Sequence, residues 1–246
     1  MKNVFQPTIN FSIMNVIITG ASKGIGRAIA EKFAAAGNVI VACARNEVEL
    51  YKMMDDLQTR FPGCTIKAKP VDMADANQVK DFAQWILASG MVPDILVNNA
   101  GQFYPGSVYN EAEGTLEKTM EVNLYSAYHL TRALLPAMMQ ARQGHIFNIC
   151  SIASLNAYPN GGSYSISKFA LLGFSKNLRE EMKPHGIKVT AVAPGATMTG
   201  SWEGSGIDPE RIMEANDIAE MIYAASRLSP MAVVEDIIMR PQLGDL

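Results

Sequence analysis

Short apolar runs alternate with longer amphipathic stretches along most of the chain. The run at 15–19 (NVIIT) carries no polar alternation, which marks a strand buried on both faces. The run at 39–44 (VIVACA) repeats the signal, 65–71 can be a third strand, 94–97 (DILV), 145–149 and 187–192 (IKVTAV) are read as further strands, and 233–239 is a last strand candidate. Helical periodicity fills the gaps at 25–36, 47–60, 75–89, 163–183 and 217–228. The longest helical stretch, 111–141, holds Pro136, where a kink or break is expected. Gly37 closes the first helix, and Pro184 with Gly186 closes the fifth. Strands that alternate with helices require parallel pairing and right-handed crossovers. The expectation is an α/β chain with one doubly wound parallel sheet, helices on both faces and ligands bound beyond the carboxyl ends of the strands. Residues 1–14 read as an N-terminal extension, and 15–246 as a single domain; whether 1–13 are native is left open.

Composition narrows the function. The 246 residues carry a net charge of -3, so no basic excess exists to hold a nucleic-acid backbone. No apolar run is long enough to span a membrane, and the start of the chain lacks a signal-peptide pattern. Three unclustered cysteines (Cys43, Cys64, Cys150) and three scattered histidines (His129, His145, His185) argue against a disulfide framework and against a metal site. A cytoplasmic location is expected.

Thr19-Gly20-Ala21-Ser22-Lys23-Gly24-Ile25-Gly26 links the first strand to the first helix. Gly20 permits a tight turn, Gly24 lets the backbone approach a pyrophosphate, and Gly26 allows close helix packing. The end of the second strand carries Arg45 and no carboxylate, where an acid would hold the ribose hydroxyls of NAD. Arg45 and Lys23 suit a 2′-phosphate, so NADP(H) is favoured over NAD.

Tyr164 and Lys168 stand four residues apart at the start of a predicted helix, on one face. An ammonium beside a phenol lowers its pKa and makes it a usable acid. Ser151, at the end of the fifth strand, can polarise a substrate carbonyl, with Ser154 as a close rival. Asn123 interrupts a helix where asparagine is disfavoured, which implies a specific hydrogen bond.

Thr19-Gly-x-x-x-Gly-x-Gly26, Asn98-Asn99-Ala100-Gly101, Asn123, Ser151, Tyr164-x-x-x-Lys168 and Pro194-Gly195 occur in the order found in the classical short-chain dehydrogenase/reductases, which the chain resembles from residue 15 to about 199. The resemblance implies a Rossmann fold, a nicotinamide cofactor and a tetrad of Asn123, Ser151, Tyr164 and Lys168, with Asn123 supporting a proton-relaying water. It also implies that Gly20, Ser22, Lys23, Gly24, Ile25, Gly26, Arg45 and Asn46 hold the cofactor. Asp72 and Met73 would contact adenine. Asn99, Ala100 and Gly101 would line the cofactor, and Pro194, Gly195, Thr197 and Thr199 would hold its carboxamide. Ala44-Arg45-Asn46 and the ending after Ser229 look like the bacterial sepiapterin-reductase-like branch.

The glycine-bearing segment near 200–215 is expected to form a short lid. Phe103, Tyr104, Leu155, Tyr158, Met198 and Trp202 are the candidate substrate pocket, apolar and aromatic enough for a planar or hydrophobic carbonyl compound such as a pterin or diketone. The expected activity is NADPH-dependent carbonyl reduction, or alcohol oxidation in reverse. A 3-oxoacyl thioester reductase and a non-catalytic nucleotide-binding regulator are the alternatives. By resemblance the two long helices form subunit contacts in a homodimer or homotetramer.

Overall fold

The computed structural model describes residues 13–200 and 206–245; the expected extension at 1–12, Trp202 and the 201–205 part of the expected lid lie outside the described residues. Seven strands form one sheet: β1 (Asn15–Thr19), β2 (Val39–Ala44), β3 (Thr65–Pro70), β4 (Ile95–Asn98), β5 (Gly144–Ile149), β6 (Ile187–Pro194) and β7 (Asp236–Met239). Their order is β3-β2-β1-β4-β5-β6-β7. Every neighbouring pair is parallel. The chain winds outward in one direction from β1 and returns to wind outward in the other from β4. The switch between those two strands opens a crevice at their carboxyl ends.

Strand alternation assigns side chains to two layers. Val16 and Ile18 face one core together with Ile29 and Phe33 of α1 (Gly24–Ala35), Leu50 and Met53 of α2 (Glu47–Arg60), and Ile218 and Ile222 of α7 (Ala215–Ser226). Ile17 faces the other, against Val79 and Phe82 of α3 (Ala76–Ala88), Leu130 and Leu134 of α5 (Ser126–Ala141), and Leu178 and Met182 of α6 (Gly162–Met182). Burial of each large apolar side chain contributes about 1.5–3 kcal/mol, which is why both faces of the sheet need helices. Polar caps set the helix starts: Asn46 accepts from the Glu49 N–H at α2, and Asp75 accepts from the Asn77 and Gln78 N–H groups at α3.

The expected long helix differs in three ways. Its first helical residue is Thr115, after the left-handed Gly114, so α4 is the short segment Thr115–Met120. A π-helical turn, Glu121–Tyr125, then joins α4 to α5. Pro136 lies inside α5, which continues through it to Ala141. The last strand is also shorter than expected, because only Asp236–Met239 finds partners on β6. No helix among the described residues is long and apolar enough to cross a membrane.

Candidate active site

The loop from β1 to α1 is built around three glycines. Gly20 has φ +64 and Gly24 has φ +55, a region that L side chains rarely adopt. Gly26 has an ordinary backbone but no room: a Cβ there would stand 2.3 Å from the Gly20 carbonyl oxygen and 2.4 Å from the Asn99 amide nitrogen. Asn99 locks the loop to the end of β4, donating from Nδ2 to the Thr19 and Gly20 carbonyls at 2.9 and 3.0 Å. The Thr19 hydroxyl accepts in return from the Asn99 and Ala100 N–H groups at 3.0 and 2.9 Å. Thr19, the first residue of the glycine motif, thereby ties the loop to the end of β4. Thr199 closes over the loop, its Cγ2 lying 3.1 Å from where a Gly24 Cβ would be.

Ser151 stands at the mouth of β5 and starts a short 3-10 turn. Its hydroxyl accepts from the Ala153 N–H at 3.1 Å, while its own N–H donates to Ser154 Oγ at 3.1 Å. Ser154 is fully buried and braces this turn, so Ser151 is the serine at the cleft. Lys168 is buried and donates from Nζ to the Ile149 carbonyl at 2.7 Å. Burial lowers its pKa to about 8, with a small opposing effect from Cys150. Its Nζ lies 5.8 Å from the centre of the Tyr164 ring. Burial raises the Tyr164 pKa, and the nearby Ser151 hydroxyl only partly offsets it. The expected lowering by Lys168 is therefore absent, because desolvation of the phenol outweighs the neighbouring groups.

These three residues line one cleft of about 560 Å³ with Ile25, Asn99, Gly101, Phe103, Tyr158, Pro194, Gly195, Thr197 and Thr199. Phe103 packs edge-on against Tyr164, ring centres 4.9 Å apart. Tyr158 lines the same cleft; burial first, then the charge of a nearby Tyr164, pushes its pKa up to about 12. Asn123 sits beside the cleft in the π-helical turn. Its Nδ2 donates to the Gln102 carbonyl and to Ser167 Oγ at 3.0 and 2.9 Å, and its Oδ1 accepts the Gln102 N–H at 2.7 Å. Ser167 donates on to the Tyr164 carbonyl at 2.7 Å. Both Asn123 amide protons are thus engaged, one on Gln102 in the segment after β4 and one on Ser167 of α6, which leaves only oxygen acceptors of this side chain for a water.

Several expected residues point elsewhere. Tyr104 lies on a separate surface depression with Pro105 and Glu111, its hydroxyl donating to Gln102. Leu155 packs into a small core with Leu171 and Ala191, and Met198 is not among the cleft walls. Met73 turns its sulfur to Cys43 in the core, so only its main chain is available to a ligand. Asn46 spends its side chain on the α2 cap. Asp72 accepts from the Ala74 N–H at 3.0 Å. Ser22 is buried in the loop, and Lys23 and Arg45 are exposed with no ion-pair partner among the described residues.

Three residues at this site went unnoticed in the sequence. Glu111 receives the Ser163 N–H at 2.8 Å and the Ser163 hydroxyl at the start of α6. Arg240 and Asp245 form an ion pair on the cleft wall. No local pattern marks any of them, since Glu111 and Ser163 are 52 residues apart.

A family model described as short chain dehydrogenase matches residues 14–208. The chain is 34% identical to a sepiapterin reductase of Chlorobaculum tepidum, covering 94% of this chain and 97% of that protein. It is 38% identical over 187 residues to the cattle dehydrogenase/reductase SDR family member 7B, of which it spans 57%. Its fold superposes on an alcohol dehydrogenase of Thermococcus sibiricus complexed with 5-hydroxy-NADP with a TM-score of 0.87, at 26% identity, covering 96% of this chain and 99% of that one. The matched residues take in the glycine loop, Ser151, Tyr164 and Lys168 and cover most of the chain: this chain belongs to the short-chain dehydrogenases.

Proposed function

We propose that the protein is an NADPH-dependent carbonyl reductase, running in reverse as an alcohol dehydrogenase. The observation that carries this reading is the convergence of Ser151, Tyr164 and Lys168 in one cleft that continues to the glycine loop. The loop fits a dinucleotide: two glycines with positive φ and a third without space for a methyl group leave bare backbone at the first turn of α1, where N–H groups and the helix dipole favour a pyrophosphate. Arg45 and Lys23, exposed and without carboxylate partners, are placed by sequence for a 2′-phosphate.

NADPH held at the glycine loop would supply the hydride that reduces the carbonyl carbon. The electron pair displaced onto the carbonyl oxygen is stabilised by the Ser151 hydroxyl, oxyanion-hole fashion. Tyr164 delivers its proton to that oxygen, completing the alcohol. Burial keeps the phenol protonated and ready to donate. The Lys168 ammonium, fixed by the Ile149 carbonyl, favours the phenolate left behind. Asn123, through Gln102 and Ser167, holds the walls on either side of the phenol.

Phe103, Ile152, Ala153 and Tyr158 give the substrate end an apolar and aromatic character. This supports a planar or hydrophobic carbonyl compound, a diketone or a pterin side chain, in line with the sepiapterin reductase relative. Exposed Tyr128 on α5 and exposed Ile166 and Phe169 on α6 support the proposal that these helices meet a second copy in a homo-oligomer.

The test is NADPH oxidation, followed by absorbance, against a panel of diketones, quinones, pterins, 2-oxo acids and an acyl thioester. Reduction of a diketone or pterin supports the reading. Turnover confined to the acyl thioester moves the substrate class, and no turnover of any member while NADPH still binds overturns the assignment as a reductase.

A further inference from the structure

Among the described residues that line the cleft, only Lys168, Arg240 and Asp245 carry charge. Lys168 is committed to Ile149. Arg240 follows β7 directly, and β7 pairs with the end of β6, where Gly195 donates to the Met239 carbonyl at 2.8 Å. The chain thus brings Arg240 to the β6 side of the cleft that Ser151 and Tyr164 also line. Its partner is the carboxylate of Asp245, and both side chains are partly exposed.

The segment that carries Asp245 is held in place from behind. Arg211 donates to the Gly244 carbonyl at 3.0 Å and to the Leu243 and Asp245 carbonyls at 3.3 Å. Gly195 makes room for it in front: a Cβ there would lie 3.1 Å from Pro241 Cδ and 3.3 Å from Asp245 Oδ1. The carboxylate is thus presented to Arg240 by main-chain anchors, while the ion pair itself is partly in water and weakly held.

We propose that Arg240 anchors a carboxylate of the carbonyl substrate, and that Asp245 occupies that position until the substrate exchanges with it. Arginine binds a carboxylate through two parallel hydrogen bonds, so the exchange trades one partly solvated ion pair for another of the same kind. The apolar walls then take the body of the molecule, which makes a 2-oxo acid with an aromatic or branched side chain the fitting class. This inference rests on the reductase reading given above.

The full-length protein is assayed with NADPH and phenylpyruvate or methyl phenylpyruvate, as wild type, Arg240→Gln, Arg240→Lys and Asp245→Asn. Independently of turnover, phenyllactate is titrated into each protein with NADP+ bound, by calorimetry. The expected result is an acid-over-ester preference of about tenfold or more in kcat/KM for the wild type, falling toward one in Arg240→Gln and partly kept in Arg240→Lys. Phenyllactate binding weakens about tenfold in Arg240→Gln and tightens in Asp245→Asn, where the competing charge is gone. The inference is overturned if the wild type treats acid and ester alike, or if Arg240→Gln leaves phenyllactate binding unchanged. A protein that reduces diketones but discriminates no carboxylate loses this inference alone. One that reduces nothing loses the reductase reading, and the titration still decides the role of Arg240.

Discussion

The carboxylate of Glu111 receives both the N–H and the hydroxyl of Ser163, the residue immediately before Tyr164. α6 has no side-chain cap of its own at Gly161, so Glu111 satisfies an N–H group that the helix start leaves without a partner, and places a negative charge at the positive end of the helix. Space around it is tight: a Cβ on Gly162 would lie 2.0 Å from Glu111 Oε1. The segment after β4 therefore holds Tyr164 twice, through Phe103 on its ring and through Glu111 on its helix.

Replacing Glu111 with Ala removes a charged acceptor of two hydrogen bonds and costs about 1–3 kcal/mol of stability. It also loosens the helix turn that carries Tyr164, so kcat falls while the dissociation constant for NADPH, set at the glycine loop, stays within about threefold. Glu111→Gln, which keeps one acceptor, is expected to lie between the two. Denaturant melts, steady-state kinetics and NADPH titration measure the three quantities; a drop in NADPH affinity equal to the drop in kcat would count against a positioning role.

The buried ammonium of Lys168 predicts an alkaline limit on activity. Its pKa is lowered from 10.5 to about 8 by burial. Below about 8 the charge that favours the phenolate is present; above it the charge is lost. kcat/KM for NADPH, which reports the free protein, is therefore expected to fall as pH rises through about 8. Lys168→Arg keeps its charge and is expected to flatten that limb. Stability runs the other way. Between about 8 and 10.5 the unfolded chain holds a proton that the folded chain lacks, so this residue's contribution to stability rises with pH. A pH profile without an alkaline fall below 10 would contradict the assignment.

Cofactor choice is expected to follow Arg45. It is exposed just after β2, and no carboxylate is paired with it among the described residues. Arg45→Asp supplies the acid that would accept ribose hydroxyls and repel a 2′-phosphate, and is expected to shift the NADPH-over-NADH ratio of kcat/KM by about 100-fold toward NADH. The ratio measured for both cofactors at one fixed carbonyl concentration checks this; an unchanged ratio would place the 2′-phosphate contact elsewhere.

Much of this architecture is legible in local pattern. Largely apolar runs mark β1, β2, β4, β5 and β6, which are buried along nearly their whole length, while β3 and β7 at the sheet edges are mostly half-buried or exposed and carry a weaker signal; the glycine and Tyr-x-x-x-Lys spacings mark both halves of the cleft. What stayed hidden depends on contacts between distant segments. The start of α4 is set by the left-handed Gly114 rather than by hydrophobic periodicity, and the π-helical turn at Asn123 leaves no mark in the residue pattern. Side-chain direction was equally hidden: Leu155 has the right chemistry for a substrate pocket, yet it packs against a small core with Leu171 and Ala191. Glu111 reads as an ordinary surface acid until α6 is folded against it. Arg240 and Asp245 acquire meaning only when β7 joins the edge of the sheet.

The central claim is that the Tyr164 phenol gives its proton to a carbonyl oxygen beside bound NADPH. Tyr164→Phe removes that proton and leaves the ring, its packing on Phe103 and the glycine loop in place. The most direct measurement pairs single-turnover NADPH oxidation with NADPH titration in this variant. The expected result is a fall in the rate of about 100-fold or more with NADPH affinity within about threefold of the wild type. Undiminished turnover in Tyr164→Phe would contradict it.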